Sequence, residues 1–135
     1  MDRQKMDEFE MMVTNLGMPA AEQLYSKDSP FMRYRMDLDE YISEHFDVYE
    51  EKTFRYIFRK CFTNSRRNNS LWWTEGIESI SKKLNISEEQ LRKKVIPSLE
   101  KRGFLKREKL HRRSPYTYII TLPGHFLTGT QYRLK

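Results

Sequence analysis

The sequence predicts a mainly α-helical fold with one small β-hairpin late in the chain and a helical extension in front. Three observations lead there. Apolar residues recur at three- and four-residue steps over most of the chain, and strand-like runs gather between Phe104 and Leu122. At 135 residues, 38% hydrophobic and 13% aromatic, the chain also holds enough apolar material for one real core, which excludes disorder throughout.

The elements follow in order. Met6, Phe9, Met12, Val13 and Leu16 define a short amphipathic helix that Gly17 and Pro19 are expected to stop. A weaker helical pattern runs through Ala20, Ala21, Leu24 and Tyr25 to a turn at Ser29 and Pro30. Leu38, Tyr41, Ile42 and His45 share one face of a helix over 37–46, and Phe54, Ile57, Phe58, Cys61 and Phe62 share one over 49–62. The polar run Thr63 to Ser70 lacks periodicity and is expected to be a loop. Leu71, Trp72 and Trp73 suit a short strand, with the two indoles packed rather than stacked on bases, and Thr74 is placed to cap the next helix.

The second half is punctuated more sharply. Ile77, Ile80 and Leu84 form a short helix ending at Asn85, a residue that tolerates the left-handed conformation, and Ile86 closes the turn. Ser87-Glu88-Glu89-Gln90 then reads as a capping box opening a second helix. Leu91, Val95 and Leu99 mark its core face; Glu89, Gln90, Lys93 and Pro97 lie opposite, flanked by Arg92, Lys94 and Lys101. Pro97 is expected to kink the outward face, and Gly103 behind Lys101 and Arg102 stops the helix. Residues 104–110 and 116–122 form the two strands, joined by the basic tip His111-Arg112-Arg113-Ser114-Pro115.

Charge is polarised along the chain. Residues 1–51 hold five basic and thirteen acidic side chains, net −8, whereas residues 82–113 hold twelve and four, net +8, within an overall +6. The basic block is where a polyanion would be attracted. The single cysteine, Cys61, rules out an internal disulfide framework and fits a reducing compartment, so a cytoplasmic location is expected. No apolar run reaches the ~18 to 20 residues of a membrane helix, and the N-terminus lacks the apolar core of a signal peptide, so neither export nor membrane insertion is expected. His45, His111 and His125 are isolated, and neither a metal site nor a cofactor motif is expected. With no nucleophile elbow, phosphate-cradling glycine loop or Cys-His arrangement, an enzyme is not expected. The stripe of Met6, Phe9, Met12 and Phe31 serves either the core or a protein interface.

Ile80, Ser81, Leu84, Asn85, Ile86 and Ser87 across the turn, then Leu91, Val95, Leu99, Gly103, Phe104 and Leu105, make the chain resemble the winged helix-turn-helix family. Trp73-Thr74 ahead of the motif is also similar to the domain of plasmid and phage replication initiators and small bacterial regulators. The resemblance covers 49–122, leaving an acidic helical extension over 1–48 and a tail over 123–135. It departs from the common pattern at Asn85, where glycine is usual, and at Pro97.

The resemblance implies a sequence-specific protein of double-stranded DNA, with helix 87–102 in the major groove and hairpin 104–122 on the adjacent minor groove and backbone. Gln90 and Arg92 would meet base edges, Lys93 and Lys94 a phosphate or a guanine, and Ser87 the backbone. Arg112 and Arg113 would enter or straddle the minor groove, with Lys82, Lys83, Lys106, Lys109 and His111 beside phosphates. Transcriptional control and replication or partition of a mobile element share these residues. A homodimer through the N-terminal helices is expected, since operators read by such folds are often palindromic. Two alternatives stay open: a protein adaptor using the same faces, and an acidic segment that docks a protein partner or covers the basic face.

Overall fold

The computed structural model describes residues 3–24, 36–68 and 71–127, the side chains of 64–68, 125 and 127 excepted. It is mainly helical, with a small three-stranded antiparallel sheet. The helices are α1 (Arg3–Leu24), α2 (Met36–His45), α3 (Val48–Asn68), α4 (Ile77–Leu84), α5 (residues 88–101) and the single turn α6 (Gly124–Leu127). The strands are β1 (Trp72–Thr74), β2 (Leu105–Lys109) and β3 (Tyr116–Ile120), in the order β1-β3-β2.

Two expected stops do not stop anything. α1 runs through Gly17 and Pro19 to Leu24, joining the two helical patterns into one. Pro19 points to solvent, as does Asn15, whose carbonyl loses its N–H partner, so water can satisfy that group. Beyond the proline, Ala20, Ala21 and Leu24 are buried in the core, which favours continuing the helix. The stripe assigned to Met6, Phe9 and Met12 is not core: Met6 and Met12 are exposed and Phe9 half-buried, while Val13 and Gly17 are covered instead. Phe31, Tyr25 and the turn at Ser29 and Pro30 lie outside the described residues. α3 likewise continues past Phe62 to Asn68, through most of the stretch expected to be loop.

The core is continuous from α1 to α6. Phe104 stands near its centre, with its ring 5.3 Å from Tyr41, 5.1 Å from Phe46, 5.6 Å from Phe54 and 5.9 Å from Phe126. Two of these contacts are tilted and two edge-to-face, all within the range where aromatic pairs add to simple area burial. Phe126, from the segment expected to be a tail, is thus a core residue. His45 is the exception on α2: Leu38 and Ile42 are buried, whereas its imidazole is exposed.

The sheet gains a strand that the hairpin alone lacks. Trp72, Trp73 and Thr74 pair with Ile119, Tyr118 and Thr117, one residue later than the expected strand. Thr74 is therefore a strand residue, its hydroxyl 2.6 Å from that of Thr117, and Gly76 takes the N-cap position of α4. The indoles pack, as expected: Trp72 Nε1 donates to Thr14 of α1 and Trp73 Nε1 to Glu75. The hairpin register runs from Leu105 opposite Ile120 to Lys109 opposite Tyr116.

Candidate nucleic-acid interface

The turn between α4 and α5 forms as its residues dictate. Asn85 adopts φ 56°, ψ 45°, and the Ile86 N–H bonds the Ser81 carbonyl at 3.2 Å. Ser87 Oγ accepts from the Gln90 N–H at 3.1 Å, a cap worth about 1 kcal/mol to a helix. The reciprocal half of the capping box, from the Gln90 side chain, is not made among the described residues.

Pro97 acts differently from the expected kink. Leu91–Val95 is a π turn inside α5, in which the Ile96 N–H reaches the Leu91 carbonyl five residues back. Pro97 has no N–H to prolong that ladder, and α-helical bonding resumes over Ile96–Lys101. The wider turn keeps Leu91, Val95 and Ile96 all buried while Arg92, Lys93 and Lys94 stay exposed. Gly103, at φ 88°, then ends the helix: its N–H bonds the Glu100 carbonyl at 3.0 Å and that of Phe104 bonds Leu99 at 3.1 Å.

The cations expected to meet DNA divide into two groups. Lys82 pairs with Glu78 at 3.3 Å, Lys83 with Glu75 at 3.4 Å and Lys93 with Glu89 at 3.1 Å. Arg92, Lys94, Lys106, Arg112 and Arg113 are exposed and have no carboxylate partner among the described residues. Arg92 and Lys109 are brought together, lining one open cleft of about 250 Å³ between α5 and the hairpin. Arg107, Ser114 and Tyr116 line it too, and the sequence reading assigned none of them a role. Alternation along β2 would have placed Arg107 beside Lys109 on one face, and that signal was available.

His111 shapes the hairpin tip as well as being exposed there. Its carbonyl accepts from the Ser114 N–H at 3.0 Å, its own N–H donates to Ser114 Oγ at 3.3 Å, and its Nδ1 accepts from the Arg113 N–H at 3.2 Å. Lys109 Nζ reaches the Arg112 carbonyl at 3.5 Å. The two tip arginines thus ride on a hydrogen-bonded turn with their side chains in solvent.

Two carboxylates, Glu50 buried and Glu75 partly so, hold this face to the body. Glu75 accepts from Tyr56 Oη at 2.8 Å, Trp73 Nε1 at 2.7 Å and Ser79 Oγ at 2.5 Å, with Lys83 alongside. Burial acts to raise its pKa, but these donors and the ammonium outweigh it and hold the carboxyl below the usual range. Glu50 forms a capping box with Asp47 at the start of α3, donating its N–H to Asp47 Oδ1 at 2.8 Å and accepting from the Asp47 N–H at 3.0 Å. Its other oxygen accepts from Ser98 at 2.6 Å and Arg102 at 3.0 Å, both in or just after α5. Here too burial raises the pKa and the donors together win, leaving it lowered.

The acidic N-terminal helix lies on the other elements rather than over α5. α1 packs against β1, β3 and α6, and Ser87, Arg92, Lys93 and Lys94 are all open to solvent. Among the described residues no helix is long and apolar enough to cross a membrane, and no group of three His, Cys, Asp or Glu side chains gathers to hold a metal. No family model, curated protein or solved structure matches this chain.

Proposed function

We propose that the protein is a winged helix-turn-helix binder of double-stranded DNA, with helix 87–102 in the major groove and hairpin 104–122 on the adjacent minor groove and backbone. It would act as a cytoplasmic transcriptional regulator or as a replication or partition factor of a mobile element. The observation that carries the reading is the juxtaposition of Arg92 on α5 with Lys109 on the hairpin across one open cleft, flanked by unpaired exposed cations. The element order also supports it: helix, strand, helix, tight turn, helix, then two strands, the first strand pairing with the last.

The chemistry follows from the two groups of cations. Arg92 and Gln90, in the first turns of α5, supply a forked donor and an amide, the types that read guanine and adenine edges. Lys94, Lys106, Arg112 and Arg113 are free to neutralise phosphates, and Ser87 sits at the helix N-terminus where a phosphate is favoured. Lys82, Lys83 and Lys93 must first give up a carboxylate. Exposed Met6, Met11 and Met12 on α1 favour self-association through the N-terminal helices.

Electrophoretic titration of a random duplex at several salt concentrations tests the reading. With about six to eight phosphates engaged, the log of the association constant should fall against log salt with a slope of about −5 to −7. A flat salt response overturns it. The pairing of Lys82, Lys83 and Lys93 with carboxylates favours a second reading, a protein adaptor built on the same fold. An adaptor leaves random duplex unshifted even at low salt.

A further inference from the structure

The cleft between α5 and the hairpin has an interior as well as a rim. Ile77, Pro115 and Tyr116 give it apolar walls, and Arg92, Arg107 and Lys109 bring three cations to it. Tyr118 also lines it; this side chain is completely buried, and its hydroxyl has no hydrogen-bond partner among the described residues. A buried phenol ordinarily finds a partner, because leaving it without one costs the desolvation of the group. Burial pushes the Tyr118 pKa up to about 12, so at neutral pH the hydroxyl keeps its proton and is a donor.

Charge and size narrow what fits. Arg107 is matched by Glu100 at 2.9 Å, which leaves the cleft with the equivalent of two uncompensated positive charges, from Arg92 and Lys109. Arg107 and Lys109 lie over the Tyr116 ring, 4.9 and 4.5 Å from its centroid, so their heads are positioned in advance. A volume of about 250 Å³ suits a ligand of roughly ten heavy atoms, since a cavity of ~150 Å³ already admits benzene.

We propose that this cleft is a binding site for a small phosphate monoester, its phosphoryl group held by Arg92 and Lys109, its short apolar body against Ile77, Pro115 and Tyr116, and Tyr118 donating to it from within. A dianionic phosphate, with second pKa near 6, matches the two free charges at neutral pH where a monocarboxylate matches one. A phosphodiester inside a DNA strand carries a single charge and so matches only one of the two. The site goes beyond DNA binding and does not depend on it.

Phenyl phosphate, with benzyl alcohol as the uncharged control, is the probe. The full chain labelled with ¹⁵N is titrated without nucleic acid at constant ionic strength above pH 7, following the amides of Ile77, Ser114 and Tyr116. Saturable shifts are expected with phenyl phosphate, with binding at least tenfold tighter than for benzyl alcohol. Arg92→Ala and Lys109→Ala should each weaken it about tenfold, the effect of losing one charge-assisted contact. Tyr118→Phe removes only the partnerless oxygen, so it should weaken binding severalfold while leaving the melting temperature unchanged or higher, which separates a ligand contact from damage to the fold. Equal affinity for the two probes, or shifts that survive both cation substitutions, would overturn the proposal, whatever the outcome of the duplex titration.

Discussion

The two ends of α5 are built for different purposes. The C-terminal end is tied down: Ser98 and Arg102 both bond Glu50, Glu100 holds Arg107, and Gly103 closes the helix in a left-handed turn. The N-terminal end is open: Arg92 and Lys94 have no carboxylate among the described residues, Lys93 has an exposed one, and a π turn pushes all three into solvent above a buried apolar row. One helix thus carries a half anchored through Ser98, Glu100 and Arg102, and a half in which Arg92 and Lys94 meet no carboxylate among the described residues. On the proposed function, removing a matched charge should damage the fold and removing an unmatched one should damage binding.

Substitutions at the two ends break or sharpen that contrast. The largest effect is expected at Glu50→Ala, which strips a capping box and the partly buried bonds to Ser98 and Arg102 together; chemical denaturation should show a loss of about 2 to 3 kcal/mol. If stability is unchanged, the C-terminal end is not anchored as described. Arg92→Ala should leave the melting curve in place and weaken specific DNA binding by about tenfold or more, with relaxed preference at one base position. Gly103→Ala is expected to cost about 1 kcal/mol, read by thermal unfolding. The cost is conformational, because the nearest atoms to an added Cβ, at Pro123, are 3.6 Å away in ordinary contact. Lys93→Ala should change affinity least among the α5 cations, below about threefold, because Glu89 already holds it.

Acid provides a further test of the anchored half. Glu50 and Glu75 both have pKa values lowered from 4.5 in the folded state, so the folded protein binds fewer protons there than the unfolded chain. Their stabilisation is complete above that unfolded value and is lost as pH falls through the depressed folded ones. Melting temperature should therefore drop as the pH is taken down through and below 4.5, and Glu50→Gln should flatten part of the slope. An unaltered slope in that variant would contradict the assignment of Glu50.

The core continuity of α1 changes how the acidic segment can be tested. Removing it would take Ala20, Ala21 and Leu24 out of the core, so unfolding would be mistaken for lost gating. Neutralising the exposed Glu8 and Glu10 leaves the packing alone, and only a small rise in DNA affinity is expected from the change in net charge.

What the sequence by itself determined were features settled within about five residues. Asn85 in the left-handed turn, Ser87 as cap and Gly103 as stop depend on backbone sterics and on hydrogen bonds between near neighbours, and their residue types announce them. What only the tertiary structure decided were the outcomes in which distant groups compete. Thr74 was free to cap a helix until β3 offered it a ladder, and Pro19 would end an isolated helix but not one whose next turn is buried. The cations of residues 82–113 looked alike as a run of charge, yet Glu75, Glu78 and Glu89 hold some while others stay free, and Glu75 draws its donors from Tyr56, Trp73 and Ser79. Local rules name the groups that carry charge and hydrogen bonds; only the assembled core sets the distances at which those groups meet.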